Sequence, residues 1–263
     1  MKRSTKRRLR QGGLYVVLAG IVVFLALSVN WKVVHDNFWT PGLGGNWHDL
    51  ILTGVKNTVI YTAIAFVLGL ALALALALMK LSDVAVYRWI ATGYIELFRG
   101  LPALVTILFM AFAVPIAFQW KPPGGTAGAG ILGLVMVAGA YMAETLRAGL
   151  QAVPKGQAEA ARSLGMGPTR TLVHIVVPQA FRIIIPPLTN EFVLLIKDTS
   201  LLSVVGAAAG QRELMNVSRD FLSTGSTAGT GTSLVQAALL YLVITLPLTR
   251  LVAWLEKRQQ RAR

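Results

Sequence analysis

Lys56-Asn-Thr-Val-Ile-Tyr-Thr-Ala-Ile-Ala-Phe-Val-Leu-Gly-Leu-Ala-Leu-Ala-Leu-Ala-Leu-Ala-Leu-Met-Lys80 is a run of 23 uncharged residues with a lysine at each end. Its second half, Leu70 to Leu78, alternates Leu and Ala and could pass for a strand. Ala and Leu are the strongest helix formers, so helix is the better reading. A helix rises about 1.5 Å per residue, and about 20 apolar residues span a bilayer core. The run is therefore long enough to cross a membrane.

Two further gaps of this kind lie between Arg10 and Lys32 and between Arg99 and Lys121. Three crossings in the first half of 263 residues exclude a soluble fold. Composition agrees: 55% of the residues are hydrophobic and 14% charged, against about 25% charged for an ordinary soluble domain. Six spans follow, near 12–30, 55–79, 90–118, 129–147, 183–209 and 232–253. The expected fold is an all-α integral membrane protein of about six transmembrane helices. A loop with Pro41, Gly42, Gly44 and Gly45 follows the first span. The run from Gly12 to Asn30 is long for a signal peptide and shows no small-residue cleavage site before Trp31, so it reads as a retained span.

The net charge of +14 does not point to nucleic acid, because the excess sits in blocks beside the apolar runs. With the N-terminus inside, the segments 1–11, 80–89, 147–182 and 254–263 hold seventeen of the 25 Lys and Arg, and the outer segments hold five. That asymmetry is the positive-inside bias. It puts both termini and the loop between spans four and five in the cytoplasm, with basic flanks that can touch anionic lipid. There is no cysteine, so disulfides, thiolate metal sites and Cys nucleophiles are excluded. The chain has no Gly-rich phosphate loop, its three histidines form no metal constellation, and no catalytic cluster is visible. The reading is of a non-enzyme with no cofactor of its own.

The inner loop reads Gln157-Ala-Glu-Ala-Ala-Arg-Ser-Leu-Gly-Met-Gly-Pro-Thr-Arg-Thr-Leu-Val-His-Ile-Val-Val-Pro178. Pro154 breaks the preceding helix, Ala158 to Leu164 forms a short one, and Gly165 caps it. Pro168 then suits a new first turn. Glu159, Gly165, Ile175 and Pro178 stand at the offsets of the EAA motif, and the loop resembles that of ABC-importer permeases. Glu96-Leu-Phe-Arg-Gly-Leu-Pro102, Ala140 to Gly149 and Asn190 to Leu201 resemble three further blocks of the polar amino acid permeases, with Leu101 where the family usually has Thr. The resemblance covers about Asn57 to Trp254 and implies a five-helix importer core plus an N-terminal helix.

It also implies a division of the chain and a set of partners. Residues 1–11 would be a basic cytoplasmic N-terminus, 12–54 the first span and external loop, 55–254 the permease domain with its coupling loop at 150–178, and 255–263 a basic tail. Glu159, Ala160, Ala161, Arg162, Leu164 and Gly165 would form the coupling helix that docks on an ABC ATPase dimer. ATP and Mg²⁺ would belong to that partner. A second permease subunit, an external solute-binding protein and a polar amino acid complete the machine, in the bacterial inner membrane. A secondary transporter driven by an ion gradient is the competing reading, and it has no use for an ATPase-docking loop.

Ionisable residues inside spans are costly and mark sites by default. Glu96 with Arg99, and Glu144 with Arg147, are three residues apart and can pair on one helix face. In the fifth span Pro186-Pro187 precedes Asn190, Glu191, Lys197, Asp198, Thr199 and Ser200. Glu191 and Lys197 point about 120° apart on a straight helix, whereas Glu191 and Asp198 share a face, as do Asn190 and Lys197. The span opens with the prolines and reads as broken by Asn190, Glu191, Lys197 and Asp198. Either the helix is interrupted there, or these charges find partners on other helices or in the solute. The six residues are expected to line or gate the pathway.

Overall fold

A computed structural model describes residues 3–39 and 46–261. The loop expected around Pro41–Gly45, together with Lys2 and Arg263, lies outside the described residues. The described chain is a succession of helices: α1 (Arg3–Ser28), α2 (Trp31–Phe38), α3 (Trp47–Leu81), α4 (Ala85–Gly100), α5 (Ala103–Phe118), α6 (Gly125–Gln151), α7 (Lys155–Ser163), α8 (Pro168–Val204), α9 (Leu214–Asp220) and α10 (Thr232–Arg261). Five of them (α1, α3, α6, α8 and α10) are long and apolar enough to cross a membrane, and α4 with α5 form a sixth, bent unit.

The bend corrects the expectation of one straight third span. The axes of α4 and α5 differ by 106°. The cause is local: a residue before proline is pushed out of the helical region, and Leu101 is extended at φ −87°, ψ 142°, followed by Pro102 at φ −58°, ψ 132°. The helix reforms at once, Val105 N–H donating to the Pro102 carbonyl at 3.0 Å.

The fifth span differs in the opposite sense. It begins at Pro168, well before Ile183, and its α-helix is not broken at Asn190, Glu191 or Lys197. Two devices carry it through its prolines. A π-helical turn over Leu172–Val176 precedes Pro178, widening the helix where the ring would crowd a regular turn. Pro186 has no N–H for the Arg182 carbonyl, and the Gln259 side chain of α10 donates to it instead at 3.3 Å. The winding tightens to a 3₁₀ turn only over Thr199–Val204.

At the centre stands α6, with 72% of its apolar window buried against 33%, 22% and 11% for α3, α8 and α10. Lipid offers no hydrophobic drive for helix association, so close van der Waals approach must supply it, and small residues permit that. Ala129, Ala138, Ala140 and Ala143 of α6 are buried, with Ile107 of α5, Ala73 of α3, Ile95 of α4 and Leu195 of α8 packed around them. Phe24, Trp89, Ile116 and Val243 point outward, as a lipid-facing surface requires. The α1 window has no buried residue.

At the end of the molecule opposite α7, polar side chains tie the α8–α9 connection to α3. Asn57 donates to the carbonyls of Gly210 and Arg212 at 3.0 and 2.9 Å, and the Tyr61 hydroxyl to that of Gln211 at 2.8 Å. Glu213 caps α9, accepting from the N–H groups of Met215 and Asn216, both at 2.7 Å, and from the Tyr241 hydroxyl at 3.1 Å.

Candidate functional site: an exposed coupling segment and an acidic cavity

After α6 ends, extended Pro154 turns the chain into the nine-residue α7. Its last turn closes in a Schellman motif: Gly165, at φ 86°, donates to the Arg162 carbonyl at 2.9 Å, and Met166 to that of Ala161 at 3.1 Å. This is the helix and cap expected from the sequence. Ala161 turns inward, while Glu159, Ala160, Arg162 and Gly165 are exposed. Leu164 is 87% exposed, an apolar side chain at the tip of a polar loop. The segment therefore presents small, charged and apolar groups together, uncovered among the described residues.

The root of this segment is held by charge. Glu144 accepts from Arg147 Nε at 3.0 Å on both carboxylate oxygens and from Lys80 Nζ at 3.2 Å, and Arg147 also donates to Gln151. The expected Glu144–Arg147 pair thus forms, and Lys80 joins it, clamping the end of α3 to the end of α6. Lys80 was not assigned to this pair from sequence, although its position closing the Lys56–Lys80 run was the available signal. Glu96 and Arg99, by contrast, form no ion pair. Both are exposed, where such a pair contributes little. The Arg99 guanidinium instead lies over the Tyr141 ring, 5.5 Å from its centroid, a cation–π contact.

Tyr141 lines a cavity of about 250 Å³ between the α4–α5 bend, α6 and α8. Glu191 and Asp198 project into it from the shared face of α8, with Leu101 of the bend and Leu134 and Val137 of α6 forming apolar walls. The other four residues expected in the pathway are placed differently. Asn190 and Lys197 are exposed on a neighbouring face of α8. Buried Thr199 donates its hydroxyl to the Ile196 carbonyl at 2.7 Å, and Ser200 to that of Lys197 at 2.6 Å. Those two hydroxyls serve the 3₁₀ turn and do not line the cavity. Two carboxylates beside an aromatic ring, with Arg99 stacked on that ring, can receive a solute cation at one end and an anion at the other.

Residues 65–261 match the family described as binding-protein-dependent transport system inner membrane component. The probable glutamine ABC transporter permease protein GlnM of Bacillus subtilis is 35% identical over 240 residues, covering 89% of this chain and 100% of that protein. The glutamate/aspartate import permease protein GltK of Escherichia coli O157:H7 is 33% identical over 218 residues, covering 79% and 92%. A solved structure described as an amino acid ABC transporter with histidines superposes with a TM-score of 0.71 at 34% identity, covering 80% of this chain and 93% of that one. With a family match over most of its length, and a relative aligned along its whole length, the chain belongs to the binding-protein-dependent transport system inner membrane components, the permease subunits of ABC importers.

Proposed function

We propose that the cargo of this permease is a polar amino acid, received in the cavity between the bend, α6 and α8. The observation that carries this reading is the pair of carboxylates, Glu191 and Asp198, facing one cavity within a membrane-spanning helix. Such groups are expensive at that depth and are retained where they meet a solute. The ammonium group of the solute is assigned to Glu191 and Asp198, and its carboxylate to the Arg99 edge. A relative bearing the name of a glutamine permease and another named for glutamate and aspartate support the substrate class.

The remaining parts are assigned with it. Both termini and α7 face the cytoplasm, supported by the charge asymmetry of the loops. Glu159, Ala160, Ala161, Arg162, Leu164 and Gly165 form the surface that docks on an ABC ATPase, whose ATP and Mg²⁺ drive the cycle. A second permease subunit completes the pathway, and an external binding protein delivers the solute.

The test is uptake by proteoliposomes holding this chain with its ATPase and binding protein. Asp198→Asn combined with Glu191→Gln is expected to lower amino acid uptake at least about tenfold, the scale of one lost charge-assisted hydrogen bond. The double variant must still assemble with the ATPase. Wild-type uptake by the assembled double variant would overturn the assignment.

A further inference from the structure

A second cavity, of about 470 Å³, lies between α8 and α10, far along α8 from the carboxylates. Ile185, Pro186 and Leu255 line its apolar side, and Arg182 and Arg258 its basic side. Neither guanidinium meets a carboxylate among the described residues. Arg258 lies over the Trp254 ring, 5.4 Å from the centroid, and Gln259 at the rim is occupied with the Arg182 carbonyl. The exposed Trp254 and the basic residues after it mark this level as the edge of the bilayer, where tryptophan and arginine sit at the headgroups.

We propose that this cavity holds the headgroup of one anionic phospholipid. Its phosphate would bridge Arg182 and Arg258, and its acyl chains would follow Ile185 and Leu255 into the bilayer. Two guanidiniums without anionic partners sit over apolar walls at headgroup depth, and the guanidinium fork matches phosphate oxygens. Basic pockets between spans on the inner side are where anionic headgroups bind. The site also has a mechanical consequence. Arg182 is on the helix that begins in the EAA loop, so a bound lipid would pin α10 to α8 at the Gln259–Arg182 link and stiffen the base of the coupling segment. Only the choice of inner leaflet rests on the orientation proposed above; the binding itself does not depend on substrate or ATPase.

Native mass spectrometry of the full chain in detergent tests this, with phosphatidylglycerol, phosphatidylcholine or inorganic phosphate added separately. The wild type is expected to retain phosphatidylglycerol in excess of phosphatidylcholine. Arg182→Gln combined with Arg258→Gln should weaken that retention about tenfold. Arg182→Lys combined with Arg258→Lys keeps the charge but loses the fork and should fall between the wild type and the Gln variant, whereas Lys257→Gln outside the cavity should retain the lipid as the wild type does. Equal retention of the two lipids by the wild type would overturn the proposal, whether or not any variant folds. So would displacement of the bound lipid by inorganic phosphate at equal concentration, which would make the cavity a free-anion site. Loss of lipid selectivity with intact amino acid uptake would leave the substrate assignment standing.

Discussion

Gly149 and Glu213 show how single positions hold this helix bundle together. Gly149, on α6 just above the coupling segment, is buried against α8; a Cβ placed there would stand 2.1 Å from Ile184 Cγ1. Ile184 is itself buried and has little room to give. Gly149→Ala is therefore expected to lower stability by about 1–3 kcal/mol, read as thermal unfolding in detergent. Combined with Ile184→Ala, the total loss should be smaller than the sum of the two single losses, because the second change removes the obstructing methylene; strictly additive losses would refute the contact. Glu213 carries a different signature. Burial pushes its carboxyl up to about 7 from the ordinary 4.5, against the opposing pull of two backbone N–H groups, the Tyr241 hydroxyl and Arg219. Between those two values the folded chain keeps a proton that the unfolded chain has released. Its contribution to stability is thus fully present below about 4.5 and is lost as the pH rises through about 7. Relative to wild type, Glu213→Gln should flatten the stability–pH curve over that window by about 3 kcal/mol. Parallel curves for the two proteins would show that Glu213 titrates normally.

At the scale of whole elements, the α4–α5 bend is the feature most open to direct measurement. The chain has no cysteine, so spin labels at Ile90→Cys and Ile116→Cys report one distance. With α4 and α5 bent by 106°, their backbones stand roughly 23 Å apart at these positions, against roughly 39 Å for one straight helix. A distance near the longer value would restore the single straight span. This element also shows what a sequence can and cannot reveal. Pro102 is a local sign of a break that the expectation of one span over 90–118 did not use, and the direction of α5 depends on Ile107 packing into α6, which is a tertiary fact. In α8 the polar run from Asn190 to Asp198 suggests a break, yet the helix continues through it to Asp198, and Gln259, 77 residues from Arg182, supplies the hydrogen bond that Pro186 cannot. The α7 helix and its Gly165 cap were legible because every group in a Schellman motif is local. In the cavity, the seven-residue spacing of Glu191 and Asp198 was readable, whereas Tyr141 and Leu101 come from other helices and carried no local sign of meeting them.

Across the whole molecule, the few charges divide the labour that apolar length leaves open. The uncharged runs set the number of crossings, and α6 gathers the others around its small residues. The Lys80–Glu144–Arg147 clamp ties the ends of α3 and α6 together just before α7, while the Asn57, Tyr61 and Glu213 contacts secure the far end. Between the two ends lie Glu191 and Asp198. The proposed function, which rests on membership of the importer permeases and on the exposure of the α7 loop, has transport driven through α7 by a separate ATPase. The most direct test is amino acid uptake into proteoliposomes bearing the chain, its ATPase and its binding protein, with residues 155–163 intact or replaced by a Gly/Ser sequence of equal length. The account predicts uptake that requires ATP and falls to background in the replaced chain. Uptake driven by an ion gradient without the ATPase, and unaffected by the replacement, would contradict it.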